Sequence, residues 1–245
     1  MDKKNMALKY QRVLLKFSGE ALMGSGDFGL DSTTLEKVVD QIQAAQALGA
    51  EIAIVVGGGN LFRGVQIQGT QIKRTTGDQM GMMATVMNAL ALRDVIEAAG
   101  MRATIMSAMP IESVAVGFNA NEAKKKLQSS EVVIFAAGTG NPFFTTDTAA
   151  ALRGIEIEAD IVLKATKVDG IYTADPFKDA SATRYKVLSY DEVIEKRLQV
   201  MDLTAFVLCR DHQMPIRVFD MFKPHAVKRI LQGEDEGTLV TEEKV

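Results

Sequence analysis

The sequence predicts an α/β fold: a mostly parallel central sheet with helices on both faces. Three observations predict it. Short β-rich runs alternate with amphipathic stretches along the whole chain. The runs are apolar throughout and do not alternate, as expected for strands covered on both faces. No Pro/Ser-rich linker and no internal repeat interrupts the pattern, so residues 1–245 are expected to form a single domain, with two lobes around a central cleft. Alternation of this kind builds parallel βαβ units with right-handed crossovers.

Taken in order, Val13–Phe17 reads as a strand and Thr33–Leu48 as an amphipathic helix ending at Gly49. Ile52–Val56 is a strand, Asp78–Ala99 a long helix ending at Gly100, and Ala103–Met106 a strand. Glu122–Leu127 is helical. Val132–Ala136 is a strand that runs into the loop Ala137–Pro142, with Thr148–Leu152 helical and Ile161–Leu163 a strand after it. Tyr190–Arg197 and Leu203–Asp211 read as helices, Ile216–Phe219 as a strand and Pro224–Leu231 as a last helix. The stretch Pro215–Phe219 is expected to close the sheet. Met80, Met82, Met83 and Met87 read first as core filler in the long helix, with a subunit interface as the alternative.

Composition removes several classes. A net charge of −3 and a pI near 5.6 argue against a nucleic-acid binder with a basic face. One cysteine, Cys209, excludes an internal disulfide framework and fits a reducing compartment. His212 and His225, the two histidines, make a zinc cluster unexpected. The polar start Met1–Gln11 does not read as a signal peptide, and no apolar run approaches membrane-spanning length. These features predict a cytoplasmic protein with no nucleic-acid or membrane partner.

Ligands of open α/β sheets sit at the carboxyl ends of strands. The first strand ends in Lys16-Phe17-Ser18-Gly19-Glu20, and the second runs into Gly57-Gly58-Gly59, followed by Asn60 and Arg63. Bare backbone N–H groups suit an anion, and a nearby arginine can fork onto it. A tight turn is the plainer reading of the glycines, although one glycine would serve for that. Val132–Ala136 leads to Gly138–Asp147, where Thr145, Thr146 and the start of a helix form an anion site. Asp147 suits the helix dipole without further role, and equally suits orienting Lys16. Ile161–Leu163 leads to Lys164–Gly170. Four such ends predict a cleft that holds phosphates. No Walker pattern, protein-kinase signature or GxGxxG after the first strand is present.

Several blocks together resemble the bacterial uridylate (UMP) kinases of the amino acid kinase superfamily. They are Leu14–Glu20 (LLKFSGE), Gly57–Gly64 (GGGNLFRG), Gly81–Asn88 (GMMATVMN), Gly138–Thr146 (GTGNPFFTT) and Leu152–Pro176. The resemblance runs from about Tyr10 to Leu239. It implies an αβα sandwich and transfer of the γ-phosphoryl group of ATP to UMP, with Mg²⁺, in pyrimidine nucleotide (CTP/UTP) synthesis. It places UMP in an N-terminal lobe and ATP in a C-terminal lobe.

Residue by residue, the resemblance puts Lys16, Phe17, Ser18, Gly19, Gly59, Arg63, Thr166, Tyr172 and Asp175 around ATP. It puts Gly58, Asp78, Thr139, Gly140, Asn141, Pro142, Phe143, Phe144, Thr145 and Thr146 around UMP. Lys16, Arg63 and Asp147 become the catalytic set, with no protein side chain assigned as a direct metal ligand. Gly24, Ser25, Gly26, Asp27, Phe28 and Gly29 match a segment linked to activation by GTP, against the plainer reading of a mobile surface loop. A hexamer inhibited by UTP is implied as well. The chemistry agrees with the residue types: two polyanions must meet, so positioning and charge neutralisation dominate. A phosphate monoester has a second pKa of about 6 and is already nucleophilic at neutral pH, so no general base is needed. Rival readings are a related kinase acting on an amino acid or carbamate, a nucleotide sensor without turnover, and a partner-binding regulator.

Overall fold

The computed structural model describes residues 8–67, 69–198 and 201–242. Among them, nine strands form one sheet in the order β4-β3-β5-β2-β1-β6-β8-β9-β7. The centre is β1 (Arg12–Phe17), flanked by β2 (Glu51–Val56) and β6 (Ile161–Thr166). Beyond β2 lie β5 (Val132–Ala136), β3 (Ala103–Ser107) and the two-residue β4 (Val116–Gly117). Beyond β6 lie β8 (Ile216–Asp220), then β9 (Thr238–Thr241) and β7 (Val187–Ser189). Only the β8–β9 pairing is antiparallel among these ladders. The expected mostly parallel sheet is therefore present.

Side-chain alternation along β1 divides the molecule into layers. Val13, Leu15 and Phe17 face a core built with α1 (Ser32–Gln46), α2 (Arg74–Ala98) and α7 (Ala226–Leu231). Leu14 faces the opposite core, built with α3 (Ala120–Gln128), α4 (Thr146–Glu156), α5 (Tyr190–Glu195) and α6 (Leu203–Asp211). The expected αβα sandwich follows. Lys16 has the parity of Leu14, and on β6 Lys164 has the parity of Val162, so both lysines face the α4 layer.

Four expectations need correction. β8 does not close the sheet: β9 and β7 extend it, and their short, partly polar runs gave no strand signal. Helix α2 starts at Arg74, one turn before the expected Asp78. Its N-cap, Lys73, offers no side-chain cap to mark the start. Strand β6 runs to Thr166 because its ladder with β8 continues through Lys164↔Val218 and Thr166↔Asp220. Of the four methionines on α2, only Met82 is core. Met80, Met83 and Met87 lie exposed at helical spacing along one face.

Candidate active site

The glycine run leaves β2 with none of its three residues at positive φ. The chain does turn here, with Gly58 O accepting from the Leu61 and Phe62 amides at 3.0 and 2.9 Å, but the turn needs no left-handed residue, and close packing gives the glycines a second reason besides ligand approach. A Cβ on Gly57 would come within 2.7 Å of Gly19 N, and one on Gly58 within 2.8 Å of Gly81 O and Ala84 Cβ. A Cβ on Gly19 would meet Gly59 N at 2.5 Å. These glycines let two strand-end loops and helix α2 touch backbone to backbone, which places their amides at one spot. Asn88 on α2, not singled out by the sequence reading, locks the arrangement. Its amide donates to Gly57 O at 2.7 Å and pairs with the Asn60 side chain, buried on both sides. Asn60 also donates to Gly29 O at 2.9 Å, which ties the Gly24–Gly29 segment directly to the glycine run.

Against this floor lies a cavity of about 660 Å³. Gly58, Asp78, Thr139, Asn141, Phe144, Thr145 and Thr146, which the resemblance puts around UMP, line it together with Gly59, which the resemblance puts on the ATP side. Phe62, Arg74 and Met82 join them without having been foreseen. Asp78 anchors the Gly138–Thr146 loop. Its Oδ2 accepts from the Phe143 N–H at 2.8 Å and its Oδ1 from Arg74 Nε at 2.7 Å. Phe143 holds a left-handed φ of 74°, a conformation non-glycine residues adopt only when their surroundings impose it. The Asp78 contact is one such imposition. Gly140 and Pro142 belong to the same loop but stay off the cavity wall.

The loop ends at Thr145, whose hydroxyl caps α4 by accepting from the Asp147 and Thr148 amides. Thr145 in turn donates to Asp202, which also receives Thr148 Oγ1 at 3.0 Å and caps α6 through the Ala205 amide. Asp202 was not expected from the sequence. Its place before α6 marks it locally as an N-cap, but its link to Thr145 and Thr148, more than fifty residues away, has no local signal.

In the first turn of α4, Asp147 points at the end of β1. Its Oδ1 lies 2.6 Å from Lys16 Nζ, a close ion pair. Its Oδ2 accepts from Lys164 Nζ at 2.7 Å. Burial pushes the Asp147 carboxyl up, but the charges of Lys16 and then Lys164 outweigh it, and the net direction is down. Lys164 is pushed down by its own burial and by Lys16, with Asp147 pulling back. Of the two open readings of Asp147, contact with Lys16 is thus realised. The missed partner is Lys164.

The remaining expected residues fall as follows. Ser18 caps the short 3₁₀ turn Gly19–Met23. Phe17 sits in the α1/α2 core at 1% exposure, so its ring cannot meet a nucleotide and only its backbone remains available. Arg63 folds back toward the glycine run, donating to Gly59 O at 2.9 Å and pairing with Glu20 at 3.3 Å. Thr166 closes a turn by donating to Val168 O, Tyr172 donates to Asp169 at 2.5 Å, and the exposed Asp175 accepts from the Phe177 amide. Among the described residues, no three Asp, Glu, His or Cys side chains gather as a metal cage. No helix there is long and apolar enough to cross a membrane.

Comparison with known proteins agrees with this architecture. The model of the amino acid kinase family matches residues 11–220. The uridylate kinase of Hydrogenovibrio crunogenus is 74% identical over 96% of this chain and 100% of its own length. The crystal structure of UMP kinase from Bacillus anthracis superposes with a TM-score of 0.93 at 37% identity, covering 96% of this chain and 97% of that one. UMP kinase from Ureaplasma parvum gives 0.89 at 33%, over 96% and 100%. The chain belongs to the amino acid kinase family and, within it, to the uridylate kinases.

Proposed function

We propose that this protein transfers the γ-phosphoryl group of ATP reversibly to UMP, giving ADP and UDP, for pyrimidine nucleotide synthesis. The observation that carries the reading is one cleft with two unlike ends. One end is the 660 Å³ cavity with Asp78 and the Thr139–Thr146 loop. The other is the buried Lys16–Asp147–Lys164 cluster at the strand ends. The glycine floor joins them.

In this reading Asp78 meets the ribose hydroxyls, Gly58 and the capped start of α4 meet the acceptor phosphate, and Thr139–Phe144 hold the base. The amides at a helix N-terminus favour a phosphate dianion. Lys16, Ser18, Gly19, Gly59 and Arg63 take the donor phosphates, while Thr166, Tyr172 and Asp175 frame the adenosine. UMP thus occupies the N-terminal lobe and ATP the C-terminal lobe. Charge neutralisation by Lys16 and Arg63 lets the two phosphates approach in line. Asp147 orients Lys16 and is not a base, because the UMP phosphate is its own nucleophile.

Magnesium would be carried on the nucleotide phosphates, with no protein side chain assigned as its direct ligand. Mg²⁺ commonly binds through phosphates with one or two carboxylates and several waters. When bound, it screens the charges of the donor phosphates. GTP activation through the Gly24–Gly29 segment, UTP inhibition and a hexamer rest on the family likeness. The Gly29–Asn60 tie supports the first, since it connects that segment to the cleft floor. The exposed Met80, Met83 and Met87 support self-association.

A coupled assay of ADP release with UMP, CMP, dTMP and N-acetylglutamate, with and without GTP, tests the reading. A clear preference for UMP is expected. Equal turnover of the other acceptors would overturn it.

A further inference from the structure

Lys164 is placed by the sheet itself. In the parallel β1–β6 ladder it is the register partner of Lys16, and both side chains emerge on the α4 face. Two like charges side by side on a sheet repel. Here both are also buried, with Lys16 side-chain exposure at 7% and Lys164 at 15%. The single carboxylate between them, Asp147, is 14% exposed. Asp202 also pulls on Lys164, but Asp147 is the carboxylate in direct contact with both lysines. Stability does not call for this arrangement: a lone Lys16–Asp147 pair would already be neutral. Preceding residues on the same face, Leu14 and Val162, are apolar and fully buried. An apolar residue in place of Lys164 would continue that surface.

We infer that Lys164 is a positioning residue for the phosphoryl transfer: it keeps Asp147 paired when Lys16 turns from that carboxylate to the donor phosphates. A buried carboxylate that loses its only cation pays a heavy penalty, because desolvation is no longer offset. With Lys16 as sole partner, Asp147 would hold it back from the nucleotide. With Lys164 on Oδ2, Oδ1 can release Lys16 while the carboxylate keeps a cation at 2.7 Å. Lys164 makes and breaks no covalent bond. The push that burial and Lys16 exert on Lys164 agrees with this, since that push is relieved when Lys16 moves away.

The inference rests on the assignment of Lys16 to the donor phosphates. Steady-state kinetics with ATP and UMP on the full chain test it, using Lys164→Met, Lys164→Arg, Asp147→Asn and the Lys164→Met/Asp147→Asn double variant. Lys164→Met is expected to lower kcat roughly 10–100-fold, the range seen for groups that act through a neighbour. KM for UMP should stay within about twofold, and Lys164→Arg should restore most of kcat. The double variant should be no slower than Asp147→Asn alone, because the effect of Lys164 runs through Asp147. Thermal unfolding should show Lys164→Met at least as stable as the parent, since the remaining pair is neutral. Unchanged kcat, additive losses in the double variant, or a Lys164→Met chain that fails to fold would each overturn the inference. A parent enzyme that does not turn over UMP would instead sink the proposed function, so the two failures are distinguishable.

Discussion

Asp147 and Asp78 each hold two partners, and they do so in opposite surroundings. Asp147 lies under the sheet ends with 14% of its side chain exposed, between two ammonium groups. Asp78 sits at the cavity edge with 20% exposed, and its charged partner Arg74 is 70% exposed. The first arrangement places charge where water cannot screen it, so every change there is amplified. The second is largely screened, and the Arg74 pair contributes little, about 0–1 kcal/mol. What Asp78 supplies is geometry: it pins Phe143 and with it the Gly138–Thr146 loop. One end of the cleft is organised by electrostatics, the other by shape.

That contrast can be broken by substitution. The largest effect is expected from Asp147→Asn, which leaves two buried lysines facing each other. Breaking a buried charge network of this kind costs about 3–5 kcal/mol, readable as a lower urea midpoint. A shift no larger than that of Asp78→Asn would erase the distinction between the two ends. Lys16→Ala should come next, lowering kcat about 10²–10³-fold, as loss of a pre-placed charge stabiliser does. UMP affinity, measured by calorimetry, should largely survive, and equal loss of affinity and turnover would show Lys16 to be misassigned.

Asp78→Ala should act the other way round. It is expected to raise KM for UMP roughly tenfold, the loss of about one hydrogen bond to a charged group, with a smaller change in kcat. A pure kcat defect would remove Asp78 from the ribose. The smallest effect is a pH dependence. The Asp147 carboxyl is held below its ordinary value of about 3.9 in the folded state. Its contribution is therefore fully present above that value and is lost as pH falls through the folded-state one. Denaturation profiles at acid pH should be steeper for the parent than for Asp147→Asn. Parallel profiles would show that the lysines do not set the ionisation of Asp147.

Much of this was legible in the sequence. The apolar strands, the capped start of α4 at Thr145, and the glycine-rich strand ends are local signals, and each lies where its residues place it. Less visible were features that depend on distant partners. Asp202 reads locally as an N-cap and no more, yet it ties α4 to α6. Asn88 looked like one more residue of a helical block, and it holds the glycine run in place. Phe17 stands inside the Leu14–Glu20 block, but strand alternation turns its ring into the core.

The residues by themselves determine the alternation of strands and helices, the phosphate-handling character of the loops and the family to which they belong. Such properties follow from hydrophobic period, turn chemistry and motif content, all read within a few residues. Tertiary structure alone decides that Lys16 and Lys164 stand side by side and that Asp147, carried on a separate helix, lies between them. It also decides that the glycines serve contact between backbones. The physical reason is that cross-strand register and helix docking join positions more than a hundred residues apart, and the energy of a buried charge depends on what surrounds it.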